Sequence, residues 1–381
     1  MSVRSTKVIN DPVWIESQHC WQIKVRKNGK RATFRSYDST TAGKVECRAR
    51  AKAWKEDNLI NASTKVSKLA DKWIEELKVS VTRSGWNNPD QCVRNYLKPL
   101  KGNKKIGDLS EQDLQDVILH AFKHPIRGKE LSAKTLKNIM DSLKAFVKYA
   151  RKCNACSLHP EDLTVPKTAR KSNKGTLQPN DIIKLFSSDK TSDHKKIIEE
   201  IYINAFRYEV VTGHRPGELF GLMKSDIKGN VCRCNRAINV YGEFTDGKNE
   251  NARRTYEIPP LGMEVLNDQK ILLKKLKIKS LYIFPAPDGG PIKPNTYYKH
   301  WIRYRDFHGM SKRTPYEMRH TWFSVNKELP IELLKAMGGQ GEDFDTMGVY
   351  GHVLNGEAHK TAILVDEKFK AIIKRDPDAS K

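Results

Sequence analysis

No run of about 18 apolar residues, the length a helix needs to cross a bilayer, occurs in this chain of 381 residues. No transmembrane helix is therefore expected. The stretch from Met1 to Pro12 lacks the apolar centre of a secretory signal, and the expected location is the cytoplasm. Cysteine is scarce and odd in number, 7 in all, which argues against a disulfide framework. Cys153 and Cys156 form a CxxC and Cys232 and Cys234 a CxC. The two pairs lie too far apart for the compact spacing of a zinc ribbon. They read as ordinary reduced thiols, and no metal and no cofactor is expected.

Acidic residues are also in short supply. There are 45 Asp and Glu against 69 Lys and Arg, a formal net charge of +24. A chain this basic meets a polyanion. Nucleic acid leads, because many spread Lys and Arg contacts release counterions on binding; an anionic membrane surface is the competitor. Apolar residues make up 38%, low but enough, at this length, for two or three domains with cores of their own.

The pattern along the chain is multidomain. Residues 1–64 read as a small β-ribbon with a helix. Trp21, Ile23 and Val25 alternate with polar residues, Asn28-Gly29 is a hairpin signal, and Ala32 and Phe34 resume the alternation. A helix follows from Thr41. This piece holds 13 basic and 6 acidic residues. A twisted ribbon carrying Arg26, Lys27, Lys30 and Arg31 fits a DNA groove; a solvated hairpin face is the alternative. Residues 65–165 read as all-helical. Val66, Leu69, Trp73 and Leu77 repeat at helical spacing, and Ser110 caps a helix carrying Leu114, Val117 and Ile118. From Ser132 to Lys152 one apolar stripe contains Leu136, Ile139, Met140, Leu143, Phe146, Val147 and Ala150. Lys134, Lys137, Lys144 and Lys148 fill the rest of that helix, as solvated charges or phosphate contacts. Residues 166–175 carry four basic residues, Lys171 among them, and no acidic one. They read as a basic linker. Residues 176–381 read as a mainly helical α+β domain with a small antiparallel sheet.

Four segments of that last domain carry chemistry. In Val211-Thr-Gly-His-Arg-Pro-Gly-Glu-Leu219, a helix containing Ile198, Ile201, Tyr202 and Ala205 is expected to end at Gly213. Pro216 opens the next helix. Arg215 then stands where backbone N–H groups favour an anion, and its guanidinium can grip two phosphate oxygens. Glu218 is positioned to brace the turn or Arg215. Glu243 to Ile258 reads as a β-hairpin with Lys248 at a basic tip, able to protonate a leaving oxygen. Thr314-Pro-Tyr-Glu-Met-Arg-His-Thr321 has a capping box of Thr314 and Glu317. It puts Tyr316, Arg319 and His320 on one helical face, beside an apolar stripe of Met318, Trp322, Val325 and Leu329. Met337 to Val353 ends one helix in glycines and leads to a short helix bearing Tyr350.

In this order the four segments resemble the tyrosine recombinases, and phage-type integrases in particular. Thr212 to Leu219 matches the family's first arginine box, Lys248 its hairpin lysine, Thr314 to Thr321 its second arginine box, and Tyr350 to Val353 its Tyr-x-His-Val nucleophile motif. Two positions depart from the pattern. Tyr316 stands where the family has His or Lys, and Gly339 where it has His or Trp, with a loop onward to Tyr350 that is one residue longer; Gln340 is the candidate replacement donor. The resemblance implies an arm-type DNA-binding domain (1–64), a helical core-binding domain (65–165) and a catalytic domain with a C-terminal tail (176–381).

It implies a site-specific recombinase that cleaves and rejoins DNA through a 3′-phosphotyrosine, integrating and excising a phage or mobile element. Arg215, Lys248, Tyr316, Arg319 and Tyr350 are the implied catalytic residues, with Glu218, His320 and Gln340 in support. Double-stranded DNA attachment sites are the implied partner, bound in a synaptic homotetramer, with a host DNA-bending protein and a directionality factor as further partners. A topoisomerase, a resolvase or invertase, and a catalytically inactive DNA-binding regulator are the alternatives. The tail from Leu354 to Lys374, with Leu364, Phe369, Ile372 and Ile373, docks either on a neighbour or on its own domain.

Overall fold

Alternation along the first strands puts Ile23 and Val25 on one side of a sheet and Lys24 and Arg26 on the other. The computed structural model shows that sheet; it describes residues 10–27, 30–56, 60–126, 128–171, 174–245, 253–339 and 357–375, except the side chains of residues 27, 30, 53, 55, 56, 357 and 358. Strands β1 (Val13–Ile15), β2 (Cys20–Lys27) and β3 (Lys30–Ser36) are antiparallel in that order, with Lys27 paired to Lys30. Helix α1 (Thr41–Glu56) covers one face, burying Ile23, Val25, Cys47 and Ala51.

A separate apolar cluster is built by α2 (Val66–Ser80), α3 (Arg83–Cys92), α5 (Glu111–Lys123) and α6 (Ala133–Lys152), with the short α4 (Lys98–Lys101) adding no buried residue. Pro89 lies inside α3, and a π-turn over Val93–Leu97 follows it before α4. Ser110 caps α5 through Asp113, whose carboxylate also takes Lys101 and Lys104. The stripe on α6 is buried as its periodicity requires, with Leu136, Leu143, Phe146 and Val147 fully enclosed.

The chain divides into two compact units, 1–172 and 173–381. The basic segment 166–175 is not a free tether over its described length. Ala169 is buried in the helical cluster and the Arg170 carbonyl accepts from Ala133 N at 2.9 Å. Gly175, in the second unit, donates its N–H to Glu317.

The second unit is assembled around α8 (Ile203–Thr212), every residue of which is buried. Before it come α7 (Pro179–Ser187) and a hairpin of β4 (Lys190–Asp193) and β5 (Lys196–Glu199). The expected helix through Ile198 and Ile201 is corrected here. Ile198 belongs to β5, and α8 begins only at Ile203, because the His194-Lys195 turn, both at positive φ, folds the chain into a hairpin. After α8 come α9 (Pro216–Phe220), β6 (Ile227–Lys228), β7 (Val231–Cys234), β8 (Ala237–Ile238), β9 (Phe244–Thr245) and β10 (Arg254–Glu257).

The expected hairpin over 243–258 is also corrected. β9 pairs with β8, whereas β10 pairs with β7 in a sheet ordered β10-β7-β6. The strands flanking residues 246–252 thus find partners earlier in the chain rather than each other. Helices α10 (Pro260–Lys275), α11 (Pro294–Phe307), α12 (Pro315–Val325) and α13 (Ile331–Gly338) complete the body. Helix α14 (Glu357–Ile373) packs on its own unit. Val365 and Phe369 are fully buried there, and Asp366 accepts from Leu261 N at 2.6 Å. The whole is mainly helical with small antiparallel sheets.

Candidate functional site

Gly213 ends α8 at φ +68°, a conformation costly to side chains with a Cβ. A Cβ there would also fall 2.6 Å from the Trp322 indole. The turn exposes the Gly213 carbonyl to Arg319 of α12, whose Nη1 donates to it at 2.7 Å. Two residues on, Arg215 occupies the N-cap of α9 with extended backbone. Its N–H donates to Glu218 Oε2 at 3.0 Å and its Nη1 to Glu218 Oε1 at 2.6 Å. Its Nη2 donates to the Gly339 carbonyl at 2.8 Å.

A third guanidinium completes the cluster. Arg254, at the start of β10, donates from Nη2 to Glu218 Oε2 at 3.0 Å and from Nε to the Met337 carbonyl at 2.6 Å. The sequence assigns no role to Arg254. It is visible as the second arginine of an Arg-Arg pair, but only strand pairing brings it to Glu218. Two guanidiniums thus hold carbonyls at the C-terminus of α13, the end that favours cations. From there the chain enters the stretch holding Gln340 and Tyr350, which lie outside the described residues, as does Lys248.

Electrostatics sharpen the picture. Burial pushes the Glu218 carboxyl upward, but Arg254 and its neighbours outweigh that and hold it down to about 2. Arg319 is enclosed, and burial together with Arg215 brings its guanidinium down to about 10. Its Nη2 has no hydrogen-bond partner among the described residues. His214 is fully buried between Thr212 Oγ1, at 2.8 Å, and the Tyr256 hydroxyl, and burial and Arg254 depress it to about 3. It is neutral at pH 7. Burial raises Glu209, which accepts from the Tyr297 hydroxyl at 2.7 Å, well above the usual carboxyl range. Among these described groups the Arg215, Arg254 and Arg319 guanidiniums are cationic, and the Glu218 carboxylate pairs with Arg215 and Arg254. Chemically, three convergent guanidiniums can hold an anion.

The second arginine box splits by depth. Arg319 is buried, whereas Tyr316, on the first turn of α12, is 44% exposed. His320 meets the Tyr316 ring edge-on at 5.4 Å between centroids. Thr314 N and Oγ1 both donate to Glu317, holding the start of the helix.

The first unit presents its own basic faces. Arg26 and Arg31 are exposed and directly paired across β2 and β3. Lys24 and Arg35 lie on the same face and extend the expected set, since the two-residue alternation that buries Ile23 and Val25 points to them as well. The side chains of Lys27 and Lys30 lie outside the described residues. Lys134, Lys137 and Lys171 are exposed and Lys144 is half-buried, with Lys137 near Asp141 at 4.0 Å.

Known structures supply a frame for this geometry. The chain shares its architecture with the Tn1549 transposon integrase solved with a circular intermediate DNA. The TM-score is 0.63 at 19% identity, over 78% of this chain and 98% of that one. A lambda integrase dimer bound to a COC′ core site matches over 99% of both chains, with TM-score 0.55 and 15% identity. A lambda integrase tetramer bound to a Holliday junction matches over 88% of this chain and 97% of that one, with TM-score 0.58 and 14% identity.

This chain has an integrase fold.

Neither a family model nor a curated protein matches the sequence. Within the integrase fold, the arginine cluster lies where α8, α9, β10, α12 and α13 meet. Among the described residues no group of three or more His, Cys, Asp or Glu gathers as a metal site, and no helix is long and apolar enough to cross a membrane.

Proposed function

We propose that this chain is a tyrosine recombinase, a site-specific integrase that cuts and rejoins double-stranded DNA. The observation that carries the reading is the convergence of three guanidiniums from distant parts of the chain, with Arg215 and Arg254 meeting at Glu218 and Arg319 held on the Gly213 carbonyl two residues before Arg215. A phosphodiester is an anion that such a cluster can hold. Arg215 and Arg319 would clamp its non-bridging oxygens and offset the charge that grows during attack. Glu218 and Arg254 would act through Arg215, as positioning residues.

Tyr350 would attack phosphorus. The phenol oxygen–phosphorus bond forms, the phosphorus–O5′ bond breaks, and the phenol proton is lost to solvent or a nearby base. Lys248 would donate a proton to the departing 5′-oxygen, leaving a 3′-phosphotyrosine and a free 5′-hydroxyl. A 5′-hydroxyl from the partner duplex reverses the step. The basic faces of the first unit would hold the duplex, with Lys24, Arg26, Arg31 and Arg35 on the ribbon and Lys134, Lys137, Lys144 and Lys171 beyond it. The arm, core-binding and catalytic assignments of 1–64, 65–165 and 176–381, a synaptic tetramer, and integration of a phage or mobile element belong to the same proposal. The DNA-bound integrases of like fold support it.

The test is a suicide duplex, nicked beside the cleavage position and carrying the mapped ends of the element that encodes the chain. Wild type is expected to form a covalent complex and Tyr350→Phe none. A covalent complex with Tyr350→Phe overturns the choice of nucleophile. No complex with wild type overturns catalysis and leaves a DNA-binding regulator.

A further inference from the structure

The segment ahead of α7 is laid along α12 by two backbone donors. Gly175 N donates to Glu317 Oε1 and Leu177 N to Thr321 Oγ1, both at 2.8 Å. Glu317 and Thr321 are one helical turn apart, so these bonds fasten the segment along the helix axis. Gly175 sits hard against Arg313, since a Cβ there would fall 1.9 Å from the guanidinium carbon. Lys174 is thereby carried over the first turn of α12, with its Nζ 5.9 Å from the centre of the Tyr316 ring.

Three polar groups share this rim: the Lys174 ammonium, the Tyr316 hydroxyl and the His320 imidazole. Burial and the Lys174 charge hold His320 below the usual histidine range, so the imidazole is not the cation here. Tyr316 lies within electrostatic reach of Arg319, which ties the rim to the arginine cluster. An ammonium offers three donors and a phenol one, together a match for the oxygens of a phosphodiester.

We infer that Lys174 is a substrate-contacting residue, its ammonium and the Tyr316 hydroxyl holding a DNA phosphate oxygen at the rim of the arginine cluster. This rests on the recombinase reading for its substrate. It assigns the positive charge beside Tyr316 to a residue that lies far from α12 in sequence. The fixed backbone at Gly175 makes the placement a property of the fold rather than of a loose tail.

The experiment compares full-length wild type, Lys174→Gln and Lys174→Arg. Single-turnover covalent complex formation is followed on the nicked duplex, and binding to a random-sequence duplex is followed against salt. Lys174→Gln is expected to slow complex formation by about tenfold or more and to lower the slope of log affinity against log salt by about 0.9. Lys174→Arg should keep the slope and most of the rate. Because Lys174 is exposed, the thermal midpoint should not move in either variant. A Lys174→Gln protein matching wild type in rate and slope overturns the inference, as does a rate lost equally in both variants with the slope intact. Failure of wild type to form any covalent complex instead overturns the recombinase reading, and the salt slope then decides Lys174 by itself.

Discussion

At the residue scale the site turns on one carboxylate. Glu218 accepts from the Arg215 N–H, from the Arg215 side chain and from Arg254, all while buried. Removing its charge leaves guanidiniums facing one another with little water between them. Glu218→Gln is expected to lower the stability of the second unit by about 3–5 kcal/mol, measured by urea unfolding, and to abolish covalent complex formation. A loss below about 1 kcal/mol would show that the cluster is balanced elsewhere.

His214 supplies a second residue-scale prediction. Its folded-state pKa of about 3 lies below the ordinary histidine value of 6.5, so between those limits the unfolded chain binds more protons. Stability therefore rises with pH across that window and is lost as pH falls, with a slope of up to about 1.4 kcal/mol per pH unit from this group. Glu218, held near 2, adds to the slope below its ordinary value of 4.5. Unfolding free energies of wild type and His214→Gln, compared from the ordinary histidine value of 6.5 down to about pH 5, should differ in slope, with the variant flatter. Equal slopes would mean that His214 is protonated in the folded chain.

At the scale of elements, the passage from α8 to α9 decides where Arg215 and Arg319 sit. The carbonyl that holds Arg319 belongs to Gly213, and that glycine is both left-handed and pressed on Trp322. Gly213→Ala is expected to cost about 2 kcal/mol or more through backbone strain and overpacking, visible as a lowered thermal midpoint. It should also reduce cleavage by moving the Arg319 anchor. Unchanged midpoint and cleavage would show that the turn relaxes freely. Helix α14 poses a different question. Phe369 is fully buried in the second unit's own core, so Phe369→Ala should cost about 3–5 kcal/mol, at any protein concentration. A cost that vanished on dilution would mean that the tail is held by a second copy.

The same scale shows what is legible in the sequence. Helix α6 is legible because its stripe repeats at about 3.6 residues and Ser132 caps it. The start of α12 is legible from Thr314, Pro315 and Glu317. The segment around Ile198 is misleading because its apolar residues merge with the apolar run of α8, and the turn between them, closed by Ile203 N on the Glu200 carbonyl, contains no glycine or proline to mark it. The strands around residues 246–252 mislead for a related reason. Local pattern names a strand without naming its partner, and β10 pairs with β7, across the intervening β8 and β9.

At the scale of the whole molecule the net charge of +24 dominates. Affinity for duplex DNA should fall steeply with salt. On the ribbon, Arg26 directly opposes Arg31, a like-charge pair that is unfavourable in the free chain and relieved by a phosphate between them. Exchanging both for Gln should lower the salt slope by roughly 0.9 for each phosphate that is no longer neutralised, and leave the unfolding of the second unit unchanged. A slope equal to wild type would remove this face from the DNA surface.

The sequence by itself determined the charge, the helices with clean periodicity, and the two arginine boxes with their order. These are local properties, written at spacings of two to four residues or simply additive along the chain. Only the tertiary structure decided that Arg254 joins Glu218, that Arg319 reaches back to Gly213, and that Lys174 lies over Tyr316. Each of those contacts joins elements distant in sequence, and no local spacing encodes which carboxylate, carbonyl or ring a cation will meet. Closing the core around α8 selects the partners of Arg254 and Arg319, because charges forced out of water must be satisfied by whatever the packing brings within reach.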